Sequence, residues 1–111
     1  MYQQGDIVWI TSPFTDTTGG SRLRPAVIIS NTLNNSNDQD RIFAKITTNR
    51  RSNIFSLLLT DDSTLTALPR VSEIRANKLI TLHKDAIQSK ITSLKPEILE
   101  ELIVLINTLF E

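Results

Sequence analysis

The chain has 111 residues, 40% of them hydrophobic, with twelve basic and twelve acidic residues, one histidine and no cysteine. That length suits a single domain over residues 1–111. The missing cysteine excludes disulfides and thiolate metal sites and points to the cytoplasm, and the zero formal charge excludes nucleic-acid binding through bulk charge alone.

The opening residues Met1-Tyr2-Gln3-Gln4-Gly5-Asp6 lack the basic start and apolar run of a signal peptide, and no stretch reaches the ~20 apolar residues of a membrane span. The β-branched and aromatic run Asp6-Ile7-Val8-Trp9-Ile10 predicts a first strand, its apolar continuity implying burial. Residues 15–21, small and polar with Gly19 and Gly20, predict a flexible loop of the kind that closes over ligands. A second strand follows at residues 25–30, with Pro25 placed at its start because proline cannot donate to a ladder. Residues 31–40, rich in asparagine and aspartate, read as a polar loop. Residues 41–47 and 54–59 predict a third and a fourth strand joined by the polar link 48–53. A loop is expected at 61–64, then two short strands at 71–75 and 79–82.

From Lys95-Pro96 the period changes. Pro96 suits the first helical position, and Ile98, Leu99, Leu102, Ile103, Leu105, Ile106, Leu109 and Phe110 recur at helical spacing, which predicts one long terminal helix. The fold class is therefore mainly β with α: a small, curled, partly closed antiparallel barrel with a long C-terminal helix. The helix stripe is broader than one small sheet needs, so a homodimer is expected.

Charge is unevenly spread. From Arg22 to Arg51 there are six basic residues against two acidic ones, whereas residues 97–111 carry four acids and no base; the first region suits phosphate. No glycine-rich phosphate loop, nucleophile elbow, or His or Cys pair at metal spacing is present, so neither metal nor cofactor is expected. His83 reads as a surface or capping residue. Two local groups stand out: Arg22 and Arg24 beside Pro25, guanidiniums suited to planar phosphate recognition, and Thr47-Thr48-Asn49-Arg50-Arg51, which gathers hydroxyls, an amide and two guanidiniums at one strand end. Each also fits an ordinary solvated surface. Trp9 and Phe14 are the aromatics nearest to stack on a base, Trp9 being read as core.

The ordered set Gly5-Asp6-Ile7-Val8-Trp9, a glycine-containing loop, Arg24-Pro25-Ala26-Val27-Ile28-Ile29-Ser30, Ala44-Lys45-Ile46-Thr47-Thr48-Asn49-Arg50, Ser72-Glu73-Ile74-Arg75-Ala76-Asn77-Lys78-Leu79 and the helical tail resembles the MazF/PemK (Kid) toxin family of bacterial type II toxin–antitoxin systems. The resemblance implies an SH3-like barrel, a symmetric dimer, a cognate antitoxin as partner, and metal-free endoribonuclease cleavage of single-stranded RNA by 2′-hydroxyl attack on the adjacent phosphate. By the same resemblance Arg24 and Thr47 are the catalytic pair. Arg22, Thr48, Asn49, Arg50, Arg75, Gly19 and Gly20 are candidates to contact RNA, with Arg75 open between a phosphate contact and an outward-facing strand arginine. Kid-type members use an Arg and an Asp two residues apart as acid and base. Here Arg75 is followed by Asn77, which cannot act as a base, so the general base stays open. Two other readings on such a fold are a gyrase poison of CcdB type and an inactive nucleic-acid-binding barrel.

Overall fold

The computed structural model describes residues 1–12 and 22–111; the expected loop at 15–21, with Gly19 and Gly20, and Phe14 lie outside them. The β-branched runs form six strands, β1 (Asp6–Ser12), β2 (Arg22–Ile28), β3 (Asp40–Thr47), β4 (Ser56–Leu59), β5 (Ser72–His83) and β6 (Ile87–Ser93), all antiparallel in the order β4-β5-β3-β2-β1-β6. The sheet is not closed, but the segment after β4 reaches back to the end of β6: Thr64 bridges Leu94, and the Leu65 amide donates to the Ser93 carbonyl at 2.9 Å. This cross-link gives the partial closure expected of the sequence.

Strand alternation sends side chains to opposite faces, and both faces carry apolar clusters. Ile7, Val27, Ile29, Ala44, Ile46 and Ile74 pack on one face with the terminal helix α2 (Pro96–Asn107), which buries Leu102 and Ile106. Val8, Ile10, Ala26, Ile28 and Phe43 form the second cluster, on the other face. Pro96 opens α2 as expected, while Val104, 61% exposed, and Phe110 point away from the core. Gly5 has φ +92°, and a Cβ there would stand 3.1 Å from Leu99 Cδ2, so glycine lets the turn before β1 sit against α2.

Four readings change. Residues 32–37 of the expected polar loop form a short helix, α1 (Thr32–Asn37), capped by Asn31 Oδ1 accepting from the Asn34 amide at 3.0 Å; it buries no residue, so it has no periodic signal. The two short strands at 71–75 and 79–82 are one twelve-residue strand, β5, in which Ala76, Asn77 and Lys78 are surplus to the pairing with β3, because Lys45 faces Arg75 and Ala44 faces Leu79. β6 has only Ile87 and Ile91 among its seven residues, too few to signal a strand, and it forms by pairing with β1 at the sheet edge. β2 begins at Arg22, ahead of Pro25. Its ladder with β3 starts only at Ala26, so residues 22–25 pair with β1 alone, and in that stretch proline is tolerated.

Candidate active site

β3 places Phe43, Lys45 and Thr47 on the face of the second apolar cluster, and β2 places Arg24 there with Ala26 and Ile28. Ala26 and Lys45 form the last pair of the β2–β3 ladder, and beyond it Arg24 follows on the same face of β2 and Thr47 on the same face of β3. On the other side of β3, Lys45 faces Arg75 and Thr47 faces Glu73. The apolar row thus runs into a polar patch of Arg24, Lys45, Thr47, Glu73 and Arg75. Thr47 Oγ1 accepts from the Asn49 amide at 3.1 Å. A hydroxyl has one proton and two acceptor sites, so this bond orients Thr47 while its O–H proton can still be donated to an anion.

Arg75 is buried, 7% exposed, and does not face outward: its Nε donates to Glu73 Oε2 at 2.6 Å and its guanidinium to the Asn49 carbonyl at 2.8 Å. Glu73 also accepts from the Arg51 amide at 3.2 Å, the Ser52 amide at 3.3 Å and Ser56 Oγ at 3.0 Å. Two successive amides aimed at one carboxylate form an anion nest, and Ser52 adopts φ 53° to complete it, a left-handed conformation costing ~1–2 kcal/mol. Burial alone raises the Glu73 carboxyl, but the bonds from Arg51, Arg75, Ser52 and Ser56 outweigh it and hold the group below the usual carboxylate range. Sequence reading missed Glu73; Glu-x-Arg on a strand is its signal, since residues two apart share a face.

Lys45 is half-buried, and its ammonium is held below the ordinary lysine value, first by burial and then by the positive charges of Arg75, Lys78, Arg24 and Arg51. The surplus residues of β5 bring Lys78 into this group. Arg22 lies exposed at the start of β2, and Asn49 and Arg50 are exposed beyond β3.

Thr48 is on the opposite side. With Trp9, Pro25, Ile46, Leu68 and Ile91 it lines an apolar hollow of about 230 Å³. Trp9, expected in the core, is 38% exposed at that hollow, because it shares the face of Ile7 but lies where α2 no longer covers the sheet. A larger hollow, about 400 Å³, lies at the other end of β3 around Tyr2, Arg41 and Ile87, away from the cationic group. His83 is a cap: its Nδ1 accepts from the Asp85 amide at 3.0 Å, ahead of a 3-10 turn. Among the described residues no three His, Asp or Glu side chains gather as a metal site, and no helix is long and apolar enough to cross a membrane.

The open antiparallel sheet carries guanidiniums, an ammonium and an oriented hydroxyl on one face, groups able to hydrogen-bond an anion. The chain belongs to the PemK-like, MazF-like toxins of type II toxin–antitoxin systems, whose family model matches residues 3–110. Its fold is similar to a mycobacterial endoribonuclease in complex with its cognate antitoxin (18% identity, 97% of this chain and 93% of that one, TM-score 0.75). It is also similar to the Mycobacterium tuberculosis toxin MazF-mt6 (16% identity, 95% of each chain, TM-score 0.75) and to MazE-MazF of Deinococcus radiodurans (17% identity, 97% and 94%, TM-score 0.74). At these identities the likeness is one of fold. No curated protein sequence matches the chain.

Proposed function

We propose that this toxin is an endoribonuclease that cuts single-stranded RNA, mRNA included, by attack of a 2′-hydroxyl on the neighbouring phosphate. The observation that carries this reading is the presence of Arg24, Lys45 and an oriented Thr47 on one cationic sheet face, in a chain of the toxin family. The substrate supplies the nucleophile, so the site needs chiefly donors and positive charge where the phosphorane builds up. Arg24 meets the developing charge with its planar fork, and Thr47 donates to a phosphate oxygen. Arg75, committed to Glu73 and Asn49, acts as fixed charge behind the site, while Arg22, Asn49 and Arg50 line the path of the RNA. Thr48, on the opposite face, contributes through the turn rather than by direct contact.

The family and the solved relatives support a cognate antitoxin as partner, and action on RNA would fit a cytoplasmic protein. The match over residues 3–110 supports one toxin domain. The test is cleavage of a long RNA in EDTA. Products ending in a 2′,3′-cyclic phosphate are expected, with no cutting where the ribose before the scissile bond is replaced by deoxyribose. Ends bearing a 3′-hydroxyl and a 5′-phosphate would overturn the mechanism.

A further inference from the structure

We propose that Glu73 and Arg75 are positioning residues of this cleavage, which through the backbone of Asn49 hold the Thr47 hydroxyl in the orientation that presents its proton to the phosphate. The inference rests on the ribonuclease reading and deepens it, because it gives the buried pair behind the site a part beyond its charge.

The β3–β5 ladder ends where Thr47 faces Glu73, so the turn that follows is not held by strand pairing. Side chains of β5 tie it back instead. Arg75, with Nε on Glu73 Oε2 at 2.6 Å, reaches the Asn49 carbonyl with a terminal nitrogen at 2.8 Å, and the Asn49 amide in turn donates to Thr47 Oγ1 at 3.1 Å. Further along, the Arg51 amide donates to both Glu73 oxygens at 3.2 Å and the Ser52 amide to Oε1 at 3.3 Å. The turn is thus clamped on both sides of Arg50, and Thr47 Oγ1 takes its hydrogen-bond partner from the clamped residue 49.

Stability alone does not account for this arrangement. A buried ion pair is weak evidence of stabilisation, since well-packed apolar residues of similar volume often serve as well, and Ser52 is held at φ 53°, a left-handed conformation that is costly for a residue with a side chain. Strain of this kind persists where the surroundings over-determine it, and it gathers at functional sites. What it fixes here is the turn that begins at Thr47. Arginine suits position 75 because its planar fork donates in two directions at once, whereas a lysine would keep the charge and bring one nitrogen where the guanidinium brings two.

The experiment measures kcat on a cleavable RNA, and Kd for the same RNA carrying deoxyribose before the scissile bond, for parent, Arg75→Lys and Glu73→Asp, each also combined with Thr47→Ala. Lysine keeps the charge, and aspartate keeps the carboxylate but withdraws it by one methylene, so both leave the charges of the buried pair in place. Each variant is expected to lose at least about 10-fold in kcat. Its Kd should stay within about twofold of the parent value, which also shows that the fold is intact. In the Thr47→Ala background neither should lose more than about twofold further, because a residue that acts through Thr47 has nothing left to position. Either variant alone decides the question should the other fail to fold. A folded variant that cuts at the parent rate, a loss that falls on Kd instead of kcat, or a loss that multiplies with that of Thr47→Ala would overturn the assignment while leaving the ribonuclease reading intact. A parent that cuts no RNA would overturn both.

Discussion

Arg24 and Arg75 are guanidiniums on one sheet face, yet their surroundings give them different work. Arg75 is buried and spends its donors on Glu73 and the Asn49 carbonyl, whereas Arg24 stands half-exposed just beyond the end of the β2–β3 ladder. Removing one preorganised donor from a developing oxyanion costs about a hundred- to a thousandfold in rate. Arg24→Ala is therefore expected to lose at least about two orders of magnitude at saturating RNA, and Arg24→Lys nearly as much, because lysine keeps the charge without the fork. Thr47→Ser should retain activity and Thr47→Ala should be impaired, since the hydroxyl is the useful group. His83→Ala, at a cap far along β5, should cleave like the parent. A well-folded Arg24→Ala protein that cuts at the parent rate would refute the site assignment.

At the scale of elements, the link between β3 and β4 is held by β5. Glu73 accepts from the Arg51 and Ser52 amides and from Ser56, and pairs with Arg75, so one carboxylate sets the turn that carries Thr47, Asn49 and Arg50. Removing one partner of a buried pair costs about 3–5 kcal/mol, and Glu73→Gln should destabilise the protein on that scale at neutral pH. The sign of the pH effect follows from the depressed folded-state value. The stabilisation is complete above the unfolded carboxylate range, near pH ~4.3, and is lost as pH falls through the lower folded value. Urea titrations stepped from pH 7 to pH 3 should show the parent losing stability in the acid range and Glu73→Gln losing less. Superimposable profiles would remove Glu73 from the account.

At the scale of the molecule, α2 buries Leu102 and Ile106 but leaves Val104 and Phe110 exposed, which agrees with an apolar stripe wider than one sheet requires. A dimer is expected by light scattering at micromolar concentration, with an antitoxin peptide competing with RNA for Arg22, Arg24 and Arg50; a monomer would count against a shared RNA groove. Much of this molecule was legible in the chain because the signals are local. Ile7, Val8 and Ile10 declare β1 by composition, Pro96 and the period of residues 98–110 declare α2, and the ordered motifs around Arg24 and Thr47 declare the family. β6 was not legible, because an edge strand with two apolar residues depends on its neighbour β1, nor was α1, held by asparagine side chains rather than by a buried stripe. The sequence by itself determined the residue types, the strand alternation and the terminal helix. Only the tertiary structure decided that Arg75 turns inward to Glu73, that Trp9 reaches a surface hollow, and that Lys45 stands among four cations, because cross-strand register brings together residues that no local pattern links.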